Sequence, residues 1–261
     1  MGPRSLSLVS LCLLSASCGG GKPWGGASDA LFQVSIIDAL LAGDYDGVAT
    51  LSEVRQHGDF GLGTFDRLDG EMIVLDGTVY QVRGDGTVRV PPMSETTPYA
   101  MVTKFAVDAQ WSIDRAMTMG ELEAELDRRI DNPNIFHAVR IDGVIPRLEL
   151  RSVNAQEKPY PDILEVAETQ STWTHENVPG TLVGFRSPAY VGTMAVSGYH
   201  WHFISDDRTL GGHVLSADVH HGLARIDAIR KWDVRLPESA TFDKLDLQVD
   251  RSEDLETVER T

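Results

Sequence analysis

The sequence predicts an α+β fold in which sheet dominates and helices are few. Short apolar runs are separated by Asp76-Gly77, Asp85-Gly86 and Asp142-Gly143, pairs that tolerate the positive φ required at both central residues of a tight hairpin turn. One long segment carries a clear helical period: Glu121 to Ile130 places Leu122, Leu126 and Ile130 four residues apart. The run from Ser197 to His213 alternates aromatic residues with histidines. As a strand it points Tyr199, Trp201 and Phe203 one way and His200 and His202 the other.

With 261 residues, 42% of them hydrophobic, the chain can bury a sizeable core in one large domain or two small ones. A net charge of −16 argues against nucleic acid as a partner, because phosphate binding needs a basic surface. Residues 1–18 read as a secretory signal: Arg4 gives a positive start, Leu6 to Leu14 an apolar run, and Ser15-Ala16-Ser17 small residues before Cys18. Cys18, followed by three glycines, suggests a lipoprotein cleavage site, with ordinary signal cleavage as the alternative. The protein is therefore expected to be exported, either periplasmic or lipid-anchored to the cell envelope through Cys18. Cys12 leaves with the signal, so the mature chain has no internal cysteine and no disulfide or thiolate site. Any transition-metal site must use histidine and carboxylate.

Residues 19–28 are Gly-rich and read as a flexible tether. From Leu31 a short strand leads into a short helix ending near Gly43. The Gly-rich stretch from His57 to Met72 reads as a loop between strands. Hairpins follow, Met101 to Val107 resumes the sheet, and Asn132-Pro133-Asn134 stops the helix over 121–130. Ile135 to Ile141 and Ile145 to Val153 predict a further hairpin, with Arg151 near its end. Pro159 and Pro161 mark residues 154–163 as a crossing. The expected division is an N-terminal sheet domain over 29–155 and a C-terminal metal-binding sheet domain over 156–237. Residues 238–261 are acidic and poor in apolar side chains, which by composition describes a solvated tail.

A hairpin closing over residues 205–212 sets His213 opposite His202, with facing Cβ atoms roughly 4.5–5.5 Å apart. Three imidazoles then share one sheet face and leave a fourth coordination position open, the arrangement of a catalytic zinc ion. The adjacent pair His220-His221 points to opposite faces and is read as structural. Two other functions fit the spacing. His200-x-His202 followed by Asp206 loosely imitates a cupin-like metal oxygenase or isomerase. A non-enzymatic secreted metal-binding protein is the other reading, and it leaves Arg151 and Glu71 unexplained.

Three segments taken together, GDFGLGTFDRLDGEM, FHAVRIDGVIPRLELRSV with KPYP after it, and GTLVGFRSPAYVGTMAVSGYHWHFISDDRTLGGHVL, resemble bacterial α-acetolactate decarboxylase. The resemblance runs in order from about Leu31 to the C-terminus. It implies two mixed β-sheet domains with the metal site at a β-hairpin between them, commonly assembled as a homodimer. It further implies zinc-dependent decarboxylation of 2-acetolactate, an anionic 2-hydroxy-3-oxo acid, to acetoin and CO2 through a metal-stabilised enediolate. The family's zinc ligands fall on His200, His202 and His213, and its active-site arginine on Arg151. Its two glutamates fall on Glu71 and Glu259, and a threonine on Thr64. The tail is then expected to fold back to the site, with Glu256 as the alternative to Glu259. The chemistry suits these residue types: loss of CO2 leaves oxygen charge that a Lewis acid and a fixed guanidinium stabilise, and a glutamate, an arginine or an oriented water can return the proton.

Overall fold

The computed structural model describes residues 30–260, Arg260 by its backbone alone. The expected signal and tether (1–28) and the lipidation at Cys18 lie outside the described residues. The strands in chain order are β1 (Ala30–Val34), β2 (Ala49–Thr50), β3 (Phe60–Thr64), β4 (Glu71–Leu75), β5 (Thr78–Val82), β6 (Val88–Arg89), β7 (Thr96–Thr97) and β8 (Ala100–Thr103). They continue with β9 (Ala109–Ile113), β10 (Met117–Thr118), β11 (Phe136–Ser152), β12 (Ser171–Ser187), β13 (Gly198–Ser205), β14 (Gly211–Val219), β15 (His221–Ile229) and β16 (Lys231–Arg235). The helices are α1 (Ile37–Leu41), α2 (Leu51–His57), α3 (Met119–Arg129), α4 (Ile163–Glu168) and α5 (Ser252–Arg260). Among the described residues no helix is long and apolar enough to cross a membrane.

Two seven-stranded sheets carry the fold, ordered β16-β1-β8-β3-β4-β5-β6 and β10-β14-β13-β12-β11-β15-β9. The first is mixed: β1 runs parallel to β16 and antiparallel to β8. In the second, β11 pairs with β12 on one edge and with β15 and then β14 on the other. Since β12 pairs with β13 and β13 with β14, the four strands β11 to β14 close into a ring. The sheets pack face to face, where Leu62, Ile73 and Met101 of the first meet Val183, Phe185 and Ile204 of the second. Each such fully buried side chain contributes about 1.5–3 kcal/mol over its exposed state. Inside the ring, Trp201 and Phe203 pack with Leu148, Leu150 and Leu182, and α3 adds Leu122 and Leu126. A capping box, Thr118 with Glu121, starts α3.

The order of strands departs from the expected domain division at 155/156. Strands β9, β10 and β11 precede that position yet belong to the second sheet, while β16 closes the first beside β1. The expected boundary falls between β11 and β12, whose ladder extends from His137 opposite Arg186 to Ser152 opposite Ser171. A ladder of that length holds the two segments in one layer. The crossing at 154–163 is likewise packed rather than free, with the Tyr160 ring 5.1 Å from that of Tyr45 and its hydroxyl donating to Asp46 Oδ1 at 2.6 Å. The Gly-rich stretch from His57 to Met72 holds the strand β3, a short helical turn over Asp66–Leu68 and the start of β4, rather than a single loop.

Of the Asp-Gly pairs, Asp76-Gly77 does turn a two-residue hairpin, with φ of 48° and 82°. Asp142-Gly143 does not. It lies within the unbroken β11, where Asp142 accepts hydrogen bonds from Arg140 Nε (2.8 Å), Thr181 Oγ1 (2.8 Å) and Arg225. Gly143 pairs with Gly180 on one side and Gly222 on the other, so three backbones come together without side chains between them. A Cβ on Gly143 would sit 2.3 Å from the His221 carbonyl oxygen, a contact that no rotamer relieves. Gly143→Ala is therefore expected to cost about 1–3 kcal/mol, as overpacking does, and to lower Tm by roughly 2–4 °C per kcal/mol. A thermal melt matching the parent would show that the row tolerates a side chain.

Candidate metal centre and active site

Strand alternation puts His200 and His202 on the face of β13 that looks toward the first sheet, and sends Trp201 and Phe203 into the ring. The loop after β13 is tied by Ser205, whose hydroxyl donates to Asp207 and accepts from the Thr209 and Leu210 amides. Its length places His213 opposite His202. On its other edge β14 meets β11, and there the partner of His213 is Arg151. Gly212 permits this approach: its φ is +146°, and a Cβ would lie 2.6 Å from the Arg151 carbonyl oxygen. Ring closure thus sets Arg151, His213 and His202 in one row across three strands.

The ligand atoms of His200, His202 and His213 all lie within 4.8 Å of one another. His202 Nδ1 donates to the Met72 carbonyl at 2.8 Å, which leaves its Nε2 with a lone pair for the site. Burial lowers His200 to about 3 and drives His202 and His213 well below the ordinary imidazole range, with the Arg151 charge adding to each. Neutral imidazoles are the form that binds metal. His200 Nε2 and His213 Nδ1 approach to 3.2 Å. Two nitrogens each about 2.0–2.1 Å from a tetrahedral ion stand roughly 3.3 Å apart, so the spacing fits a shared divalent ion.

The first sheet supplies the acids. Glu71 opens β4 directly opposite Thr64 at the end of β3. Its Oε1 accepts from Arg151 NH1 at 3.0 Å and its Oε2 lies 3.4 Å from His202 Nε2; both the glutamate and arginine side chains are 8% exposed. Burial pushes the Glu71 carboxyl up to about 7 against the downward pull of Arg151, and Glu259 adds a further upward push. The second partner of the guanidinium is open: Arg151 Nε is buried and donates to nothing among the described residues. The Thr64 hydroxyl is committed to the Gly70 carbonyl at 2.8 Å.

Of the acidic C-terminal residues, Ser252–Arg260 are not a solvated end: they form α5, and Glu259 Oε2 lies 3.7 Å from His200 Nε2 and 3.9 Å from His213 Nε2. Burial raises this carboxyl too, to about 7. Glu256, one turn earlier, is exposed. All seven residues singled out from the sequence, the three histidines with Arg151, Glu71, Glu259 and Thr64, line one cavity. Asp206, which suggested a cupin-like set, is exposed in the hairpin loop. His220 and His221 stack on each other at 4.1 Å, both exposed.

The other wall of the cavity is apolar and comes from three short helices, through Leu40 and Leu41 of α1, Ile163 and Val166 of α4, and Leu255 and Val258 of α5. Sequence reasoning missed this wall. The signal in α4 was its stripe Ile163, Val166 and Ala167, a helical spacing hidden by the prolines before it. Tyr99, buried with its hydroxyl 3.2 Å from Met101 Sδ, also lines the cavity, and no motif marks it.

Comparison with known proteins agrees with this arrangement. The family model for alpha-acetolactate decarboxylase matches residues 31–249, which includes every site residue named above except those of α5. The alpha-acetolactate decarboxylase of Methanosarcina mazei is 46% identical over 235 residues, covering 90% of this chain and 81% of the relative. That of Bacillus subtilis is 41% identical over 230 residues, covering 88% and 90%. The crystal structure of the Bacillus subtilis strain 168 enzyme superposes with a TM-score of 0.87 at 40% identity, covering 89% of this chain and all of that one. The Methanosarcina relative is archaeal, so the likeness is not, as the sequence motifs suggested, to bacterial enzymes alone. With a family match over most of its length and relatives above 40% identity, the chain belongs to the alpha-acetolactate decarboxylase family.

Proposed function

We propose that the protein decarboxylates 2-acetolactate to acetoin and CO2, with a zinc ion held by His200, His202 and His213. The observation that carries this reading is the buried Arg151–Glu71 pair beside three convergent neutral imidazoles, with one guanidinium donor still open to a ligand. Zinc suits the donor set, three imidazoles in a chain without cysteine beyond Cys18. When bound, the ion supplies Lewis-acid polarisation of the substrate oxygens.

The protein's own residues account for the rest. Cleavage of the bond from C2 to the carboxylate releases CO2 and leaves its electron pair on the adjacent carbonyl oxygen as an enediolate. Arg151 Nε donates to that developing charge, a fixed cation in a site that excludes water. One proton must then return to C2 to give acetoin. Glu71 shares an oxygen with Arg151, which favours its anion. Burial raises both carboxyls to about 7 and Arg151 pulls each down, but only Glu71 is ion-paired to it, so the returning proton is assigned to Glu259, which faces His200 and His213. The apolar wall takes the two methyl groups of the substrate and keeps solvent from the enediolate. On the same footing, residues 1–18 direct export and the protein is a homodimer; the mass of the mature N-terminus and sedimentation of the purified protein test both.

Incubating the purified protein with 2-acetolactate, with its metal content measured alongside, tests the central reading through release of acetoin and CO2. His202→Ala is expected to remove both bound metal and activity, and full metal occupancy in that variant would overturn the ligand assignment. Arg151→Lys is expected to keep the metal while turnover falls about 10²–10³-fold, the usual loss when one donor to an oxyanion is removed. Turnover equal to the parent would return Arg151 to a packing role. For Glu259→Gln, metal content and Tm should hold while turnover drops sharply, and a parent-like rate would exclude it as the proton carrier.

A further inference from the structure

The helix that brings Glu259 to the site has little of its own to hold it. Residues 236–251 lead to α5 with only one short turn, Phe242–Lys244. A nine-residue helix is marginal by itself in water. Its apolar anchors are Leu255 and Val258, packed against α1 and α4. Arg251, Leu255 and Glu259 recur every four residues and so share one face. The Arg251 carbonyl accepts the first helical hydrogen bond, from the Leu255 amide at 2.9 Å. Arg251 is therefore both the residue at which the helix starts and the first on the face turned inward.

Across from it on α1 lies Asp38, only 3% exposed although it carries a carboxylate. Asp38, Arg251, Leu255 and Glu259 line one groove, and His200 and His213 lie at its inner end. Three residues lining this groove carry a buried polar atom with no hydrogen-bond partner among the described residues: His200, through Nδ1, at the metal site, and away from it Asp38, through the acceptor Oδ2, and Arg251, through the donor Nε. The remaining contact of the guanidinium is weak: NH1 is 3.9 Å from Asp254, within the helix itself. A buried carboxylate and a buried guanidinium nitrogen each carry a desolvation cost that only an opposite charge offsets. Burial pushes the Asp38 carboxyl up, Arg251 holds it down against that, and the exposed Asp250 pushes it up again.

We propose that Asp38 is a positioning residue for the decarboxylation: its carboxylate draws Arg251 across the groove and thereby fixes α5 in the register that delivers Glu259 to the three histidines. Glu259 stands two helical turns from Arg251 on the same face, so the pull of Asp38 on Arg251 decides how far the helix reaches along the site. Asp38 itself acts through the helix, not on the substrate. The inference rests on the reading of Glu259 given above.

The test uses the metal-loaded, full-length protein and compares Asp38→Asn, Glu259→Gln and the double variant. Asp38→Asn preserves shape and loses charge. It is expected to leave metal content unchanged, raise amide hydrogen exchange across residues 252–260, and lower kcat by roughly tenfold, within the range of coupling between interacting groups. In the Glu259→Gln background the same change should lower kcat no further, because the group it positions is already gone. Arg251→Lys should recover part of the loss seen in Arg251→Gln. Parent-like exchange and kcat in Asp38→Asn would overturn the proposal, as would a full additive loss in the double variant. Should Asp38→Asn fail to fold, Arg251→Gln at the partly exposed helix start takes its place with the same readouts. A fully active Glu259→Gln would sink the proton-carrier reading alone, since exchange in α5 still reports whether Asp38 holds the helix.

Discussion

The position of β14 between two partners is the constraint on which the rest of the site depends. Its ladder with β13 sets His213 against His202, and its ladder with β11 sets His213 against Arg151. A slip of one residue in either ladder would turn the side chains of a strand to the opposite face. The aromatic residues between the histidines guard against that slip. Trp201 and Phe203 are buried in the ring, and exposing them in place of the imidazoles would lose several kcal/mol of apolar burial.

The electrostatics follow from the same burial. The buried imidazoles and carboxyls of the site are shifted toward their neutral forms: the three imidazoles down, the Glu71 and Glu259 carboxyls up to about 7. A guanidinium keeps its charge at any ordinary pH. The site therefore combines one permanent cation, three neutral ligands and two carboxyls able to exchange a proton near neutrality. Those features suit an anionic substrate that must lose CO2 and gain a proton in one enclosed space. In a chain of net charge −16, this buried cation is held in place by fold rather than by composition.

The two sheets and the helical wall have different parts in this. Sheet residues hold their places through backbone ladders, and the tie between His202 and the Met72 carbonyl joins one sheet to the other at the centre of the site. The wall comes from α1, α4 and α5, each short and each from a distant part of the chain. Such elements gain their stability from packing rather than from propensity. That makes the wall the part of the site most able to open, and α5 its least anchored member.

Local geometry is written in the chain: period two places His200 and His202 on one face, the loop length brings His213 opposite, and Asp76-Gly77 turns its hairpin. These depend on neighbours in the chain, which is why alternation and turn chemistry report them. Family resemblance added Arg151, Glu71, Thr64 and Glu259, which share no local pattern with the histidines. How those segments meet depends on contacts between strands far apart in the chain. Asp142-Gly143 reads as a turn, yet its carboxylate is occupied by groups on three strands and its glycine by two facing backbones. The sheet membership of β11 and β16 depends on strands far away in sequence, so the prolines near 159 marked a domain boundary that the ladder between β11 and β12 spans. The acidic C-terminus shows the same limit: composition describes a solvated end, whereas two apolar residues, an arginine and the groove beside α1 together make it a wall of the site.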